Sequence, residues 1–378
     1  MKFFHLSDLH IGRQLHFYSL KEDQRRILEE IVQYVYREKP QAIVIAGDVY
    51  DKSVPSAEAV AVFDEFIRKL SETGVQILVI SGNHDSPERL DFASSLLEKQ
   101  NLHMAGLPPM QPQDHIRKVR LQDAYGPVNF WLLPFVKPSY VSGITGPGLS
   151  YTDMIRALLE RESREEQERH VLVTHQFYTA SGREPARSES EAVYVGGAGN
   201  VDVSAVQQFD YVAMGHIHKG QSIGGEQFRY CGTPLKYSVS ESGDVKGLTM
   251  VTLEEKGTPP RIEVLPLHPP RDVLRLRGYL KELMLQGSED YVSITLTDEK
   301  VPYQPREQLA QVFPNLLELR VDNPAARRTL EKEEQPELPD DPLQMFRRFF
   351  LEIQGEEMDG QETELMERVI RKIQEEMQ

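Results

Sequence analysis

Three apolar runs open the chain, Phe3 to Leu6, Ala42 to Ala46 and Val75 to Ile80, each too short for a helix and each closed by polar residues. Between them, apolar residues recur at helical spacing: Ile27, Leu28, Ile31, Val32 and Val35 within Lys21 to Lys39, then Val60, Phe63, Phe66, Ile67 and Leu70 within Ser56 to Ser71. Strand, helix, strand, helix, strand predicts an α/β sheet with a parallel component, because parallel neighbours need a crossover that a helix fills. Pro87, a good first helical residue behind the cap Ser86, predicts another helix to about Lys99.

Further strands are expected at Asn129 to Leu133, His170 to Thr174, Tyr211 to Met214, Phe228 to Tyr230 and Leu248 to Leu253. Gln176 to Asn200 is polar and Gly-rich and reads as a long loop. The Pro-rich Leu265 to Pro270 marks a domain boundary. Beyond it, Tyr279 to Gln286 and Arg306 to Val312 read as helices and Tyr291 to Leu296 and Leu316 to Val321 as strands, enough for a small α/β unit. The expected organisation is a main domain over 1–268, a small α/β domain over 269–330, an acidic linker over 331–341 and a helical tail over 342–378.

Each strand end carries the same kinds of side chain. Ser7-Asp8-Leu9-His10 follows the first strand, Gly47-Asp48-Val49-Tyr50-Asp51 the second and Gly82-Asn83-His84-Asp85 the third. Later, His175 follows Thr174, and Gly215-His216-Ile217-His218 follows Met214. In an open α/β sheet the carboxyl ends of the strands form the usual ligand-binding edge. Carboxylate, imidazole and amide without thiolate suit Mn²⁺, Fe or Zn²⁺, whereas Mg²⁺ would want fewer imidazoles. In Asp8/His10 and His216/His218, alternate side chains of an extended segment point the same way and converge on one centre. Seven or more ligands are too many for one ion and fit two ions sharing a carboxylate. Taken singly, Asp-X-His is a common surface turn and His175 a common hydrogen-bonded histidine. Five strand ends together are what point to a metal site.

Composition bounds the partners. With 39% hydrophobic and 27% charged residues in 378, the chain is globular and long enough for two or three units. The start, MKFFHLSDLH, interrupts any signal-peptide apolar region, and no run approaches the ~20 apolar residues of a membrane span, so a cytoplasmic protein is expected. The single cysteine, Cys231, excludes an internal disulfide framework and a Cys-based zinc site. A net charge of −16 argues against a general nucleic-acid coat, but residues 331 to 341 and 352 to 376 hold many of the acids, so the total does not decide the substrate.

As a set, Asp8-X-His10, Gly47-Asp48-X-X-Asp51, Gly82-Asn83-His84-Asp85, His175 and Gly215-His216-X-His218 resemble the calcineurin-like metallophosphoesterase superfamily, in order and in approximate spacing. The segments HLSDLHIGRQL, IAGDVYD, VISGNHDSPERL and Cys231-Gly-Thr-Pro-Leu-Lys-Tyr-Ser238, with the tail, are similar to its Mre-type DNA repair nucleases over nearly the whole chain. The resemblance implies two packed mixed β-sheets flanked by helices, a small α/β capping domain and a C-terminal helical tail that binds a partner. It implies one metal held by Asp8, His10, Asp48 and His218 and a second by Asp48, Asn83, His175 and His216, with Asp48 bridging and His84 as the catalytic histidine. Asp85 would orient His84 or cap the turn, and Asp51 stands where some relatives carry His.

The implied activity is that of a two-metal, Mn²⁺-dependent DNA nuclease, a 3′-to-5′ exonuclease on double strands and an endonuclease on single strands or hairpins. It would act in processing DNA double-strand breaks and hairpins. No G-x-x-x-x-G-K-[ST] occurs, so ATP dependence must come from another chain, and an SMC-like ATPase is the implied partner, in a heterotetramer built on a homodimer. Leu343, Phe346, Phe350 and Ile353, then Leu365, Met366, Val369, Ile370 and Ile373, form apolar stripes on pieces too short to bury them alone. Arg13, Gln14, Arg89, Arg183 and Lys219 flank the metal motifs and are candidates for the DNA backbone. A calcineurin-like phosphatase or small-molecule phosphodiesterase and a non-catalytic scaffold for the ATPase remain as alternatives, the scaffold weakened by the presence of His84 and every ligand type.

Overall fold

The computed structural model describes residues 1–191, 199–322, 342–354 and 357–376. The expected acidic linker at 331–341 lies outside the described residues. Two units separate, one of Met1–Thr295 with Gln304–Arg320, the other of Leu296–Tyr303 with Val321–Gln378.

The first unit is built on two six-stranded mixed sheets. In one, Lys2–Leu6, Ala42–Ala46, Gln76–Ile80 and Leu102–Ala105 run parallel, and Gly247–Thr252 and Arg261–Pro266 add antiparallel on the far side of Lys2–Leu6. In the other, Gly126–Leu133, Arg169–Thr174, Tyr211–Met214 and Phe228–Tyr230 are parallel, edged by Arg117–Asp123 and Gln221–Ser222. Period-two alternation decides what each strand buries. Phe3, Val44, Leu78 and Ile80 face Phe130, Leu132, Val171, Val173 and Ala213 in the layer between the sheets. Phe3 meets the rings of Phe130 and Tyr211 edge to face, at 5.3 and 5.7 Å between centroids.

Phe4, Leu6, Ile43, Ile45, Ile77 and Val79, on the opposite face of the first sheet, take Ile27, Ile31 and Val35 from helix Lys21–Glu38 and Val62, Phe66 and Leu70 from helix Ala57–Glu72. Ser56 caps the second of these by accepting from the amide of Ala59. The outer face of the second sheet, with Trp131, Leu172 and Val212, is covered by Met154, Ile155, Leu158 and Leu159 of helix Tyr151–Glu160. Strand Val273–Gly278, strand Tyr291–Leu296 and strand Leu316–Val321 make a separate three-stranded sheet.

Several elements differ from the sequence reading. The helix expected from Pro87 to Lys99 is broken into Pro87–Asp91, Ser94–Leu97 and a 3₁₀ turn Glu98–Gln100. Phe92 is extended and Ala93 left-handed at φ 58°, and the Asp91 carboxylate accepts from the amide of Gly106 instead of leaving the helix to continue. The stretch after His175 is not loop from its start. Phe177–Thr179 pairs in parallel with Asn200–Asp202, anchored where the Tyr178 amide donates to the Tyr230 hydroxyl at 2.6 Å. The helices near Tyr279 and Arg306 shrink to Leu280–Leu283 and Pro305–Leu309.

In the second unit, helices Pro342–Gln354 and Gly360–Glu376 pack on each other. Leu343, Phe346, Phe350, Met366 and Ile370 are half-buried, while Phe349, Leu351, Leu365 and Val369 are exposed. The Ile353 and Ile373 side chains lie outside the described residues. Among the described residues no helix is long and apolar enough to cross a membrane.

Candidate metal centre

The strand ends converge because the loops behind them are laced together. The Asp8 amide donates to the Gly47 carbonyl at 3.0 Å, the His10 amide to Asp48 at 3.0 Å and Ile11 to Val49 at 2.9 Å, fixing the first two loops side by side. The Gly215 amide donates to Thr174 at 3.0 Å and the His216 amide to both Asp8 carboxylate oxygens, which ties in the second sheet. Asp8, His10, Asp48 and His216 all have positive φ, at 52°, 42°, 50° and 89°. Non-glycine residues adopt that region at a cost of roughly 1–3 kcal/mol each and are held there by the surrounding structure, a pattern concentrated at functional sites. Two glycines permit the close approach. A Cβ on Gly47, at φ 91°, would sit 2.3 Å from His175 Nδ1, and one on Gly82 would sit 2.1 Å from Asp48 Oδ1.

Asp48 is central. Its Oδ2 is 3.7 Å from His10 Nε2 and 3.3 Å from His175 Nε2. His10 Nε2 lies 3.2 Å from His218 Nε2, and donor atoms of Asp8, His10 and His218 fall within 4.8 Å of one another. Asp8, Asp48 and His175 form another such group, and Asn83 Oδ1 lies 3.2 Å from His175 Nε2 and 2.9 Å from His216 Nδ1. Asp8, His10, Asp48, Asn83, His175, His216 and His218 therefore come together, in two overlapping sets that share the neighbourhood of Asp48. His84, expected to stand apart from any ion, has a donor atom within the same 4.8 Å of His10 and Asp48.

Electrostatics fit a cation. Asp8 and Asp48 are buried, and among the described residues neither is ion-paired with Lys or Arg, a costly arrangement for two carboxylates unless something positive lies between them. Burial pushes the Asp8 carboxyl up, against the pull of His175. Burial also works to raise Asp48, but His175, His10 and His84 hold it well below the usual carboxylate range. For His175, burial is outweighed by Asp48 and Asp8, and the imidazole is pushed up to about 9. Burial, and then the charge of His175, takes His216 down to about 3, leaving it a neutral donor. His175 Nδ1 donates a hydrogen bond to the Ala46 carbonyl at 2.7 Å, so a cation at the site would displace the proton on Nε2 and bind there.

The residues around the ligands divide by what they touch. Asp85 accepts from the amides of Gly82, Val49 and Tyr50 at 2.9, 3.1 and 2.9 Å, so it closes the turn and joins it to the Asp48 loop; it does not orient His84. Burial and the nearby Asp48 charge push its carboxyl up to about 6. His84 is held by its amide, which donates to Asp48 Oδ1 at 2.9 Å, and by Nδ1, which donates to the Asp51 carbonyl at 3.0 Å. Asp51 itself receives Arg13 at 2.8 Å, and that guanidinium sits over the Tyr237 ring. Of the DNA-contact candidates only Arg13 is thus committed inside the site; Gln14, Arg89 and Arg183 are exposed, and exposed Lys219 pairs with Asp244 at 3.3 Å. Cys231 is buried, with Sγ 2.9 Å from Ser7 Oγ. Sequence reasoning missed a group behind His218, namely Ser190, Glu191, Glu241 and Lys246. Gln24, which donates to the His10 carbonyl at 2.7 Å, was also unforeseen.

Residues 1–220 match the model of the calcineurin-like phosphoesterase family, and residues 269–354 that of the type 5 capsule protein repressor C-terminal domain. Over 332 residues the chain is 31% identical to SbcD, a subunit of the nuclease SbcCD of Staphylococcus epidermidis, covering 84% of this chain and 85% of that one. Among solved structures, a dimetal phosphatase from Danio rerio aligns with 15% identity and a TM-score of 0.43 over 70% of this chain and 98% of that one. The protein TT1561 of Thermus thermophilus aligns with 14% identity and a TM-score of 0.42 over 71% and 99%.

Proposed function

This chain belongs to the calcineurin-like phosphoesterase family, the hydrolases that cleave phosphoester bonds with divalent metal ions, and we propose that its substrate is DNA. The observation that carries the chemistry is the convergence of two buried carboxylates, four histidines and an asparagine around Asp48, with His84 anchored beside them. The likeness to a nuclease subunit over most of both chains supports the substrate.

In this reading Asp8, His10, Asp48 and His218 hold one ion and Asp48, Asn83, His175 and His216 the other, the pair being Mn²⁺ in the cell. When bound, such ions activate water and polarise the phosphodiester, stabilising charge on the attacking and leaving oxygens. The chain's own residues do the rest. Asp48 fixes the register of the two ligand sets. The Ala46 carbonyl keeps the His175 proton on Nδ1. His84, with Nδ1 engaged by the Asp51 carbonyl, keeps Nε2 for the substrate and, when protonated, donates to a phosphate oxygen or to the departing 3′-oxygen.

The action is 3′-to-5′ exonucleolytic on double strands and endonucleolytic on single strands and hairpins, in the cytoplasm, with residues 1–268 as nuclease and 269–330 as cap. The apolar residues of helices Pro342–Gln354 and Gly360–Glu376, several of them exposed, support docking of the SMC-type ATPase SbcC. The test is cleavage of an end-labelled DNA hairpin with Mn²⁺, wild type against His84→Ala, each with and without the ATPase. Cleavage that falls by ~10²–10⁴ in the variant is expected for a lost general acid. Turnover of small phosphoesters with no DNA cleaved under any condition would overturn the nuclease reading.

A further inference from the structure

His218 is held differently from the other imidazoles. Its amide donates to Glu191 Oε1 at 2.8 Å, and its carbonyl accepts from Lys246 Nζ at 2.9 Å. Its Nδ1 lies 2.7 Å from the hydroxyl of Ser190, which in turn is 2.8 Å from Glu241 Oε1. Glu241 is fully buried. Its Oε2 accepts from Lys246 Nζ at 2.6 Å, and its Oε1 also accepts from Ser238 Oγ at 3.1 Å and from the Tyr237 amide at 3.2 Å.

These contacts fix where the protons go. A carboxylate with a lysine ammonium at 2.6 Å and two further donors is ionised and can only accept. Ser190 has one hydroxyl proton. Were it given to His218 Nδ1, or to the Ser188 hydroxyl 2.7 Å away, a serine lone pair would face the Glu241 carboxylate at 2.8 Å, acceptor against acceptor. Ser190 therefore donates away from His218 and accepts from Nδ1–H. That leaves the proton on Nδ1 and the lone pair on Nε2, the nitrogen 3.2 Å from His10 Nε2 inside the ligand cluster.

We infer that Ser190 and Glu241 are positioning residues, a hydroxyl relay from a buried carboxylate that locks His218 in the tautomer able to ligate a divalent metal. The inference rests on the reading of His218 as a ligand. His175 has the same need met by the fixed carbonyl of Ala46, whereas His218 depends on Ser188 to Glu191, so the placement of that segment is felt at the metal ligand. Glu241 stands 51 residues from Ser190 in sequence, and Lys246 five residues further on completes the buried pair.

The bland alternative is that Glu241 and Lys246 only hold their own loop together. The two separate when full-length, EDTA-treated protein is titrated with Mn²⁺ by calorimetry and its thermal unfolding is followed in EDTA. Ser190→Thr keeps the hydroxyl, and Ser190→Val has the shape of that threonine with a methyl in place of the hydroxyl. Expected are wild-type Mn²⁺ affinity in the threonine variant, a 10- to 100-fold loss of affinity in the valine variant, about the range for removing a partner behind a metal-bound histidine, and little change in metal-free melting in either. Glu241→Gln should lose affinity likewise, because its amide lets the serine proton turn toward His218. Wild-type affinity in Ser190→Val, with His218→Ala clearly weakened, would overturn the relay while leaving the metal site intact. Unchanged binding in His218→Ala would instead remove the ligand reading on which the relay rests.

Discussion

Replacing Asp85 tests how the site is held together. Its carboxylate is 5% exposed and takes three backbone amides, Gly82 and Val49 on Oδ2 and Tyr50 on Oδ1. In Asp85→Ala all three donors lose their acceptor inside the protein. At ~1–3 kcal/mol for each buried unpaired group, the loss is about 3–9 kcal/mol, the lower end applying if water enters. Asp85→Asn can keep its oxygen on Gly82 and Val49 and turns its amide toward the Tyr50 N–H, so one bond is lost, at about 1–3 kcal/mol. With an unfolding entropy of ~2.1 cal/mol/K per residue and roughly 300 residues in the first unit, 6 kcal/mol is about 9 °C in Tm and 2 kcal/mol about 3 °C. Thermal unfolding in EDTA reads this without a metal contribution. Hydrolysis of a simple phosphodiester should fall in both variants, because Asn83 and His84 ride on the same turn. An alanine variant melting within about 1 °C of wild type, or an asparagine variant as damaged as the alanine one, would refute the reasoning.

Three further outcomes follow from other parts of the molecule. Gly47→Ala puts a Cβ 2.3 Å from His175 Nδ1 in a left-handed residue, and the combined conformational and steric cost of about 2–5 kcal/mol should lower Tm and abolish Mn²⁺ binding; unchanged binding by calorimetry would contradict the packing. Burial, followed by the charge of Arg229, takes His5 down to about 3, below its ordinary value near 6.5, so only the unfolded chain takes up the proton in that window and stability is lost as pH falls from about 6.5 toward 3. At pH 4.5 that amounts to about 3 kcal/mol, and urea unfolding of His5→Gln should show a pH 7 to 4.5 loss smaller by about that amount; equal losses would exclude the effect. Mn²⁺ at a hundredfold excess over the Kd of each site should stabilise the chain by about 2.7 kcal/mol per ion, about 5.4 kcal/mol for two or roughly 8 °C in a unit of this size, an increase that EDTA reverses; the same Tm in Mn²⁺ and EDTA would count against a metal centre.

Much of this arrangement is legible in the sequence, and the parts that are not share a physical cause. Phe3 to Leu6, Ala42 to Ala46 and Val75 to Ile80 announce buried strands, and the polar residues that close them can be placed on one edge before any coordinates exist. Helix Tyr151–Glu160, with Ser150 as cap and Met154, Ile155, Leu158 and Leu159 on one stripe, carries an equally local signal that the sequence reading passed over. The break at Phe92 and Ala93 carries none: Ser86 and Pro87 signal a helix start, whereas its end is decided by Asp91 turning to Gly106, fifteen residues away. The same holds at the site. Residue type points to Asp8, His10 and Asp48, but nothing in those letters predicts their left-handed backbone, and the dependence of His218 on Ser190 and Glu241 spans contacts 28 and 51 residues apart in sequence.

The measurement closest to the centre of this account is anomalous diffraction at the manganese edge from crystals soaked in Mn²⁺. Two peaks are expected, both within about 2.5 Å of the Asp48 carboxylate, one also touching Asp8, His10 and His218 and the other Asn83, His175 and His216. A single peak, or two of which only one touches Asp48, would contradict a centre built on that shared carboxylate.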